Sequence, residues 1–132
     1  MIQIHQGVDI VELSRFKKVF MDHSDFASDI FTESERRFCL RKKDPYMHFA
    51  GRFAAKEAFL KAVGRGITGP GTDHIFQEIE IIPESSGKPV LSVTGWAEKI
   101  SNRKKISQFT VSISHSANYA VATVILVGES IN

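Results

Sequence analysis

Apolar and polar side chains alternate at the start of the chain. The apolar positions of this run are Ile2, Ile4, Val8 and Ile10. A period of two predicts a β-strand, because successive side chains of a strand point to opposite faces. Asp9 lies near the end of this predicted strand, on the face opposite Val8 and Ile10.

Helical periodicity replaces this alternation in three later segments. From Glu12 to Met21 apolar residues recur on one side, which predicts an amphipathic helix. The sequence Thr32-Glu33-Ser34-Glu35 is a capping-box pattern that predicts the start of a second helix, which Lys43-Asp44-Pro45 breaks. The third predicted helix runs from about Met47 to Val63 and is apolar over most of its surface, and Gly64 is suited to end it.

The rest of the chain is predicted to form strands with one short helix. In chain order we expect a loop from Gly66 to Asp73, a strand from Ile75 to Ile82, a turn from Pro83 to Lys88, a strand from Pro89 to Val93, a short helix capped by Thr94, and strands from Gln108 to Ser114 and from Tyr119 to Val127, joined by a tight turn at Ser116-Ala117-Asn118. This order predicts an α+β fold with helices packed on an antiparallel sheet. With 132 residues, no repeat and no linker, the chain is expected to be one domain over residues 1–132.

Composition and charge exclude several classes of protein. A net charge of +2 argues against a general nucleic-acid-binding protein. No apolar run approaches the roughly 18 residues of a membrane span, and no signal-peptide pattern begins the chain. The single cysteine, Cys39, excludes an internal disulfide. We therefore expect a cytoplasmic protein with no membrane or nucleic-acid partner.

The third predicted helix carries a carboxylate among phenylalanines. Phe53, Glu57 and Lys61 are four residues apart and share one face. Arg52 and Lys56 add positive charge and phosphate-binding capacity. A carboxylate in apolar surroundings needs a cation, a metal or hydrogen-bond donors. The alternative is an ordinary helical ion pair between Glu57 and Lys61, worth about 0.3–0.5 kcal/mol.

Asp9 and Glu57 are two carboxylates from which a metal site could be built, although the residues alone do not identify one. Two converging carboxylates repel each other unless a proton or a cation lies between them. Mg²⁺ usually takes one or two carboxylates together with phosphate oxygens and water. Lys61, one turn from Glu57, is placed to neutralise a phosphate on the same ion. His115 has two interpretations, a phosphate-binding residue at a strand end or a surface histidine in a turn.

Three segments resemble the bacterial holo-[acyl carrier protein] synthases, the small single-domain 4′-phosphopantetheinyl transferases. They are Gly7-Val8-Asp9-Ile10-Val11-Glu12, then Gly51-Arg52-Phe53-Ala54-Ala55-Lys56-Glu57-Ala58 with Lys61-Ala62 and Gly64-Arg65-Gly66, then Ser112-Ile113-Ser114-His115-Ser116. The segment from Arg52 to Ala58 is highly specific, and the similarity extends from about residue 4 to residue 127.

The resemblance implies a 4′-phosphopantetheinyl transferase-like fold and a Mg²⁺-dependent transfer. The phosphopantetheine arm of coenzyme A would move to a serine of apo acyl carrier protein, with release of adenosine 3′,5′-bisphosphate. Asp9 and Glu57 match the metal ligands, and Glu57 and Lys61 match the catalytic residues. Arg15 matches a basic residue that faces the acidic carrier protein. The positions that match the coenzyme A site are Arg52, Lys61, Gly64, Gly66 and His115.

The same resemblance implies a homotrimer with coenzyme A in clefts between subunits. Ten phenylalanines and apolar strands such as Ala120 to Val127 also indicate more apolar surface than one small core buries. Some positions depart from the family pattern: His5, Gln6, Arg65 and the loop from Thr68 to His74.

Two other functions stay open, a nucleotide- or coenzyme-binding module without transfer activity and an interaction domain in which the Glu57–Lys61 pair is structural. For the transferase, Glu57 and a metal-bound water are both possible bases for the serine.

Overall fold

A computed structural model describes residues 1–64 and 74–130 of the chain. The helices and strands of these residues are, in chain order, β1 (Ile2–Glu12), α1 (Leu13–Asp22), α2 (Phe26–Ile30), α3 (Glu33–Leu40), α4 (Pro45–Val63), β2 (Ile79–Pro83), β3 (Pro89–Val93), α5 (Gly95–Arg103), β4 (Ile106–His115) and β5 (Tyr119–Glu129). This order confirms the predicted α+β class. None of the helices in these two ranges is long and apolar enough to span a bilayer.

The central strand of the main sheet is β5, which pairs antiparallel with β1 on one side and β4 on the other. Asp9 lies opposite Ala122 of β5, and Ala122 lies opposite Ile113 of β4. Val8 and Ile10 point to the outer face, where they are 53% and 64% exposed. Asp9 therefore faces inward, which confirms its predicted placement opposite these two residues. A separate antiparallel hairpin joins β2 to β3.

The longest helix, α4, packs on the inner face of the main sheet. Asp44 caps its first turn by accepting a hydrogen bond from the backbone N–H of Met47. Pro45 occupies the first helical position, where the missing N–H is no loss. Gly64 ends the helix in the left-handed conformation with φ 68°, which confirms the predicted stop.

The backbones of β1 and α4 come into direct contact at Gly7. A methyl group at this position would overlap the carbonyl oxygen of Ala58 and would lie 2.8 Å from the backbone nitrogen of Ala62. Only glycine allows this approach. The contact sets how far Asp9, two residues later in the same strand, lies from the helix.

The ten phenylalanines are not the source of exposed apolar surface. All lie in the described part of the chain, and none is exposed. Most of them pack together between α1, α2, α3 and the first half of α4, with ring centroids such as those of Phe20 and Phe49 4.9 Å apart. Exposed apolar side chains lie instead on the outer face of β1, where Ile2 and Ile4 are 68% and 66% exposed. In β5, the strand named in the prediction, every second residue from Ala120 to Leu126 is buried. The expected excess of apolar surface is therefore found on β1, and neither on the phenylalanines nor on most of β5.

Two elements differ from their predicted form. The strand expected from Ile75 begins only at Ile79, because residues 74–78 form a hydrogen-bonded turn. Ile75 is nevertheless buried, as its apolar character predicts. The short helix α2 was not predicted, since five residues give too little periodicity to identify a helix.

The start of α5 is capped by a distant carboxylate. Thr94 is the N-cap residue, as predicted, but its side chain makes no capping hydrogen bond. Instead, Glu78 accepts hydrogen bonds from the backbone N–H groups of Trp96 at 2.8 Å and Ala97 at 3.2 Å. Gly95, with φ 55°, leaves room for that carboxylate. Glu78 thus connects the turn before β2 to α5.

Candidate active site

An ion pair joins β1 to α4 at the end of the strand. Nζ of Lys61 donates to Oδ1 of Asp9 at 2.8 Å and to the carbonyl oxygen of Val8 at 3.1 Å. The side chain of Asp9 is 16% exposed and that of Lys61 is 55% exposed, so solvent reaches the pair from the lysine side. Lys61 therefore binds the strand and does not form the helical ion pair with Glu57.

Glu57 lies half-buried, one turn before Lys61 on α4. Burial raises the pKa of its carboxyl group, the charge of Asp9 raises it further, and Lys61 lowers it. Glu57 and Asp9 also line the same pocket. Two carboxylates this close favour a cation between them. Their oxygen donors fit Mg²⁺, which needs no more than one or two protein carboxylates.

A pocket of about 440 Å³ opens beside the two carboxylates. Side chains of α1, α2 and α4 form its apolar wall, among them Phe16 and Phe53. Its charged lining consists of the two carboxylates, Glu12 and Arg15. The structure therefore places both predicted metal ligands and the predicted carrier-facing arginine around one opening.

A second group of basic side chains surrounds Phe38 on α3. The Arg52 guanidinium lies over its ring, 4.0 Å from the centroid, and Nζ of Lys42 lies 4.5 Å from it. The ring of His48 is nearly perpendicular to those of Phe38 and His115, with centroids 6.1 Å and 5.7 Å away. We call Lys42, His48, Arg52 and His115 the basic cluster. It is suited to binding an anion.

Arg52 is the most deeply buried member of the basic cluster. It is only 5% exposed, and its Nε has no hydrogen-bond partner among the described residues. Burial lowers the pKa of Arg52, but an arginine starts so high that it remains charged at neutral pH. The carboxylate of Glu35 acts on Arg52 but is already paired with Lys56. A buried cation without an ion-pair partner of its own is costly, so this side chain favours an incoming anion.

The basic cluster and the carboxylates lie at different places along α4. His48 precedes Glu57 by nine residues, or roughly 13 Å along the helix axis. Asp9 and His115 belong to the two outer strands of the main sheet, about 10 Å apart across β5. Within one chain, His115 is therefore grouped with His48 and not with Asp9.

Lys56 does not have the phosphate-binding capacity that we expected. Its side chain is fully buried, and Nζ donates to Oε1 of Glu35 at 2.8 Å and to the carbonyl oxygens of Phe76 and Ile79 at 2.7 Å and 2.6 Å. These three bonds use all the donors of an ammonium group. Its role is structural, and it turns toward the core because apolar residues surround it on the helix.

The remaining predicted site residues are placed as follows. Lys61 lies in the last turn of α4, and Gly64 ends the helix three residues later. Gly66 lies outside the described residues, as does Arg65. His48 was missed by the sequence analysis, although its position four residues before Arg52 places both on one face of the helix.

Sequence comparison finds relatives over nearly the whole chain. Residues 6–124 match the model of the 4′-phosphopantetheinyl transferase superfamily. A holo-[acyl-carrier-protein] synthase of Caldanaerobacter subterraneus is 42% identical over 127 residues, which cover 96% of this chain and 97% of that protein. A holo-[acyl-carrier-protein] synthase of Chlamydia pneumoniae is 43% identical over 123 residues, covering 92% and 95%.

Solved structures share the fold. The ACPS–CoA complex of Chronobacterium ammoniagenes aligns with a TM-score of 0.85 at 30% identity, covering 97% of this chain and 99% of that one. A holo-(acyl-carrier-protein) synthase of Bacillus anthracis, in complex with CoA (3′,5′-ADP), aligns with a TM-score of 0.77 at 36% identity, covering 98% and 100%. The predicted fold is thereby confirmed.

Proposed function

Because the chain belongs to the 4′-phosphopantetheinyl transferase superfamily, and is therefore an enzyme of that class, we propose that it transfers phosphopantetheine from coenzyme A to a serine of apo acyl carrier protein. The second product is adenosine 3′,5′-bisphosphate. The observation that carries the proposal is the convergence of Asp9 and Glu57 at one pocket, with Lys61 bound to Asp9. Transfer of a phosphate group requires positive charge around the phosphate, which the lysine supplies directly and the two carboxylates would supply through a bound metal ion.

Asp9 and Glu57 are the residues that would hold Mg²⁺. When bound, the ion supplies charge stabilisation at the pyrophosphate of coenzyme A. Lys61, already held next to Asp9, places a second positive charge at the same end of α4. As charge accumulates on the leaving phosphate, this ammonium group stabilises it.

The serine hydroxyl must lose its proton during the transfer. Glu57 is the group of this chain placed to accept it, because its carboxylate lines the pocket. Phe16 and Phe53 form an apolar wall of the same pocket, which would limit the access of water to a phosphate attacked there.

Coenzyme A and the carrier protein would occupy opposite sides of the carboxylates. Arg52, His115, Gly64 and Gly66 are assigned to coenzyme A. The carrier would dock on α1, whose Arg15 lies at the pocket while Lys17 and Lys18 are exposed. Acidic carrier helices complement such a surface.

We further propose a cytoplasmic homotrimer. The apolar outer face of β1 supports association, because Ile2, Ile4, Val8 and Ile10 are exposed there in one chain. Within one chain the basic cluster and the two carboxylates lie apart. A cleft between subunits would bring the basic cluster of one chain to the carboxylates of its neighbour.

The test is transfer to apo acyl carrier protein, followed by the mass of the intact carrier. The wild type with coenzyme A and Mg²⁺ is expected to add one phosphopantetheine, and chelation is expected to stop the reaction. Asp9→Asn and Glu57→Gln should abolish transfer with unchanged circular dichroism. Asp22→Asn, which changes a carboxylate outside the site, is the matched control.

Full activity in both Asp9→Asn and Glu57→Gln would refute the metal site. If the wild type binds coenzyme A by calorimetry but never changes the mass of a carrier protein, the chain is a binding module and not a transferase.

A further inference from the structure

The basic cluster carries more positive than negative charge. Around His48 lie Arg52 on α4, His115 on β4, and Lys42 before α4, and among the described residues only Asp44, at the start of the helix, opposes them. The nearest buried carboxylate, that of Glu35, is already paired with Lys56. A site with this balance attracts a compact, doubly charged anion.

The members of the basic cluster lie at different depths. Arg52 and Phe38 form its floor, since the guanidinium is almost fully buried against the ring. His48 is half-buried and His115 is exposed, so the two imidazoles are its outermost groups. An anion that enters from solvent therefore meets the imidazoles first, with the guanidinium charge behind them.

We propose that His48 binds the 3′-phosphate of coenzyme A together with His115 and takes up a proton when it does so. This inference rests on the proposed function, which assigns coenzyme A to Arg52 and His115. The two rings, with centroids 5.7 Å apart, are close enough for one phosphate to accept a hydrogen bond from each. A phosphate monoester is a dianion above about pH 6, and in coenzyme A it is the group that carries two charges on a single phosphate.

The electrostatics of the free protein favour a neutral His48. Burial lowers the pKa of His48, His115, Arg52 and Lys42 lower it further, and Asp44 raises it. An adjacent phosphate reverses this effect, because an opposite charge within about 4–6 Å raises the pKa of an imidazole by about one unit or more.

The bound form therefore holds a proton that the free form lacks. Affinity for coenzyme A should increase as pH falls through the pKa of the complex, and should stop increasing at about pH 6, where the phosphate begins to lose its second charge. A shift of one pKa unit corresponds to about tenfold in affinity.

The experiment is calorimetry of the wild type with coenzyme A and with dephospho-coenzyme A, which lacks the 3′-phosphate. Each titration is done between about pH 6 and 8, in two buffers that differ in ionisation enthalpy, so that proton uptake is measured directly. Binding of coenzyme A should be accompanied by the uptake of about half to one proton. Its affinity should be about tenfold higher near pH 6 than near pH 8. Dephospho-coenzyme A should show neither effect.

His48→Gln keeps a hydrogen-bond donor but cannot titrate, so its proton uptake and pH dependence with coenzyme A should be clearly smaller than those of the wild type. His23→Gln, which replaces an exposed histidine at the end of α1, is the matched control and should behave as the wild type.

Wild-type proton uptake in His48→Gln, or equal uptake with both coenzymes, would overturn the assignment of His48. The comparison of the two coenzymes uses the wild type alone, so it holds whether or not the variant folds. A wild type that binds coenzyme A with no proton uptake would also overturn it while leaving the proposed function intact. A wild type that binds neither coenzyme would overturn the proposed function itself.

Discussion

Replacement of Lys56 by methionine is expected to destabilise the protein strongly. Methionine keeps an unbranched side chain in the core but removes the charge and all three donors. Glu35 would then be a buried carboxylate without a cation, left with the backbone N–H groups of Thr32 at 2.9 Å and Ile81 at 2.8 Å. The carbonyl groups that Lys56 now satisfies would lose their partner.

The expected loss is about 3–5 kcal/mol, the usual cost of removing one partner of a buried ion pair. That is a large fraction of the roughly 5–15 kcal/mol that stabilises a protein of this size. Lys61→Met is a matched control, because it makes the same chemical change at a pair whose lysine is half exposed. Its loss should be no more than about 1 kcal/mol.

Urea unfolding, followed by the fluorescence of Trp96 and by circular dichroism at a fixed protein concentration, measures both variants. The double variant Glu35→Gln/Lys56→Met should lose less than the sum of the two single variants, because no buried charge is then unpaired. A loss of less than about 1 kcal/mol in Lys56→Met, or a loss equal to that of Lys61→Met, would refute the reasoning.

Three further predictions concern the partner, the assembly and the thiol. Arg15→Glu should raise the KM for the carrier far more than the KM for coenzyme A, and the wild-type carrier KM should rise with salt because exposed charges are screened; equal effects on both substrates would contradict this. Mixed oligomers of inactive Glu57→Gln and inactive His115→Ala subunits should regain activity if one site uses residues of two chains, and no recovery in proven mixed oligomers would place both residues in one chain. Burial raises the pKa of the Cys39 thiol to about 12, so Ellman's reagent should label it at mildly alkaline pH only after unfolding; labelling of the folded protein would show that the thiol is accessible.

Local sequence signals predicted the parts of the fold that depend on neighbouring residues. The capping box is formed, with the side chain of Thr32 accepting from the Glu35 N–H and that of Glu35 accepting from the Thr32 N–H. The left-handed Gly64 and the tight turn after Ser116 are also present. Each of these features is decided within a few residues.

Features that depend on distant residues were not predictable in the same way. Lys56 was predicted to add phosphate-binding capacity, because its actual partner, Glu35, lies 21 residues earlier, in another helix. The apolar character of α4 on most of its surface was the available signal that this lysine is buried. Lys61 was compared only with Glu57, one turn away, whereas its partner is Asp9, 52 residues earlier. Asp9 and Glu57 were assigned to one metal site because the family resemblance places them together. Their spacing in the sequence alone does not show that they meet.

The contact at Gly7 makes the spacing of the site independent of side-chain packing. Side chains in a core adapt to substitution by changing rotamers, but two backbones in contact have no rotamer to change. The phenylalanines around Phe20 can therefore be exchanged to alter pocket size or stability while Asp9 stays at the same distance from α4. For redesign, the aromatic cluster is the adjustable part of this molecule, and the strand–helix contact is its fixed reference.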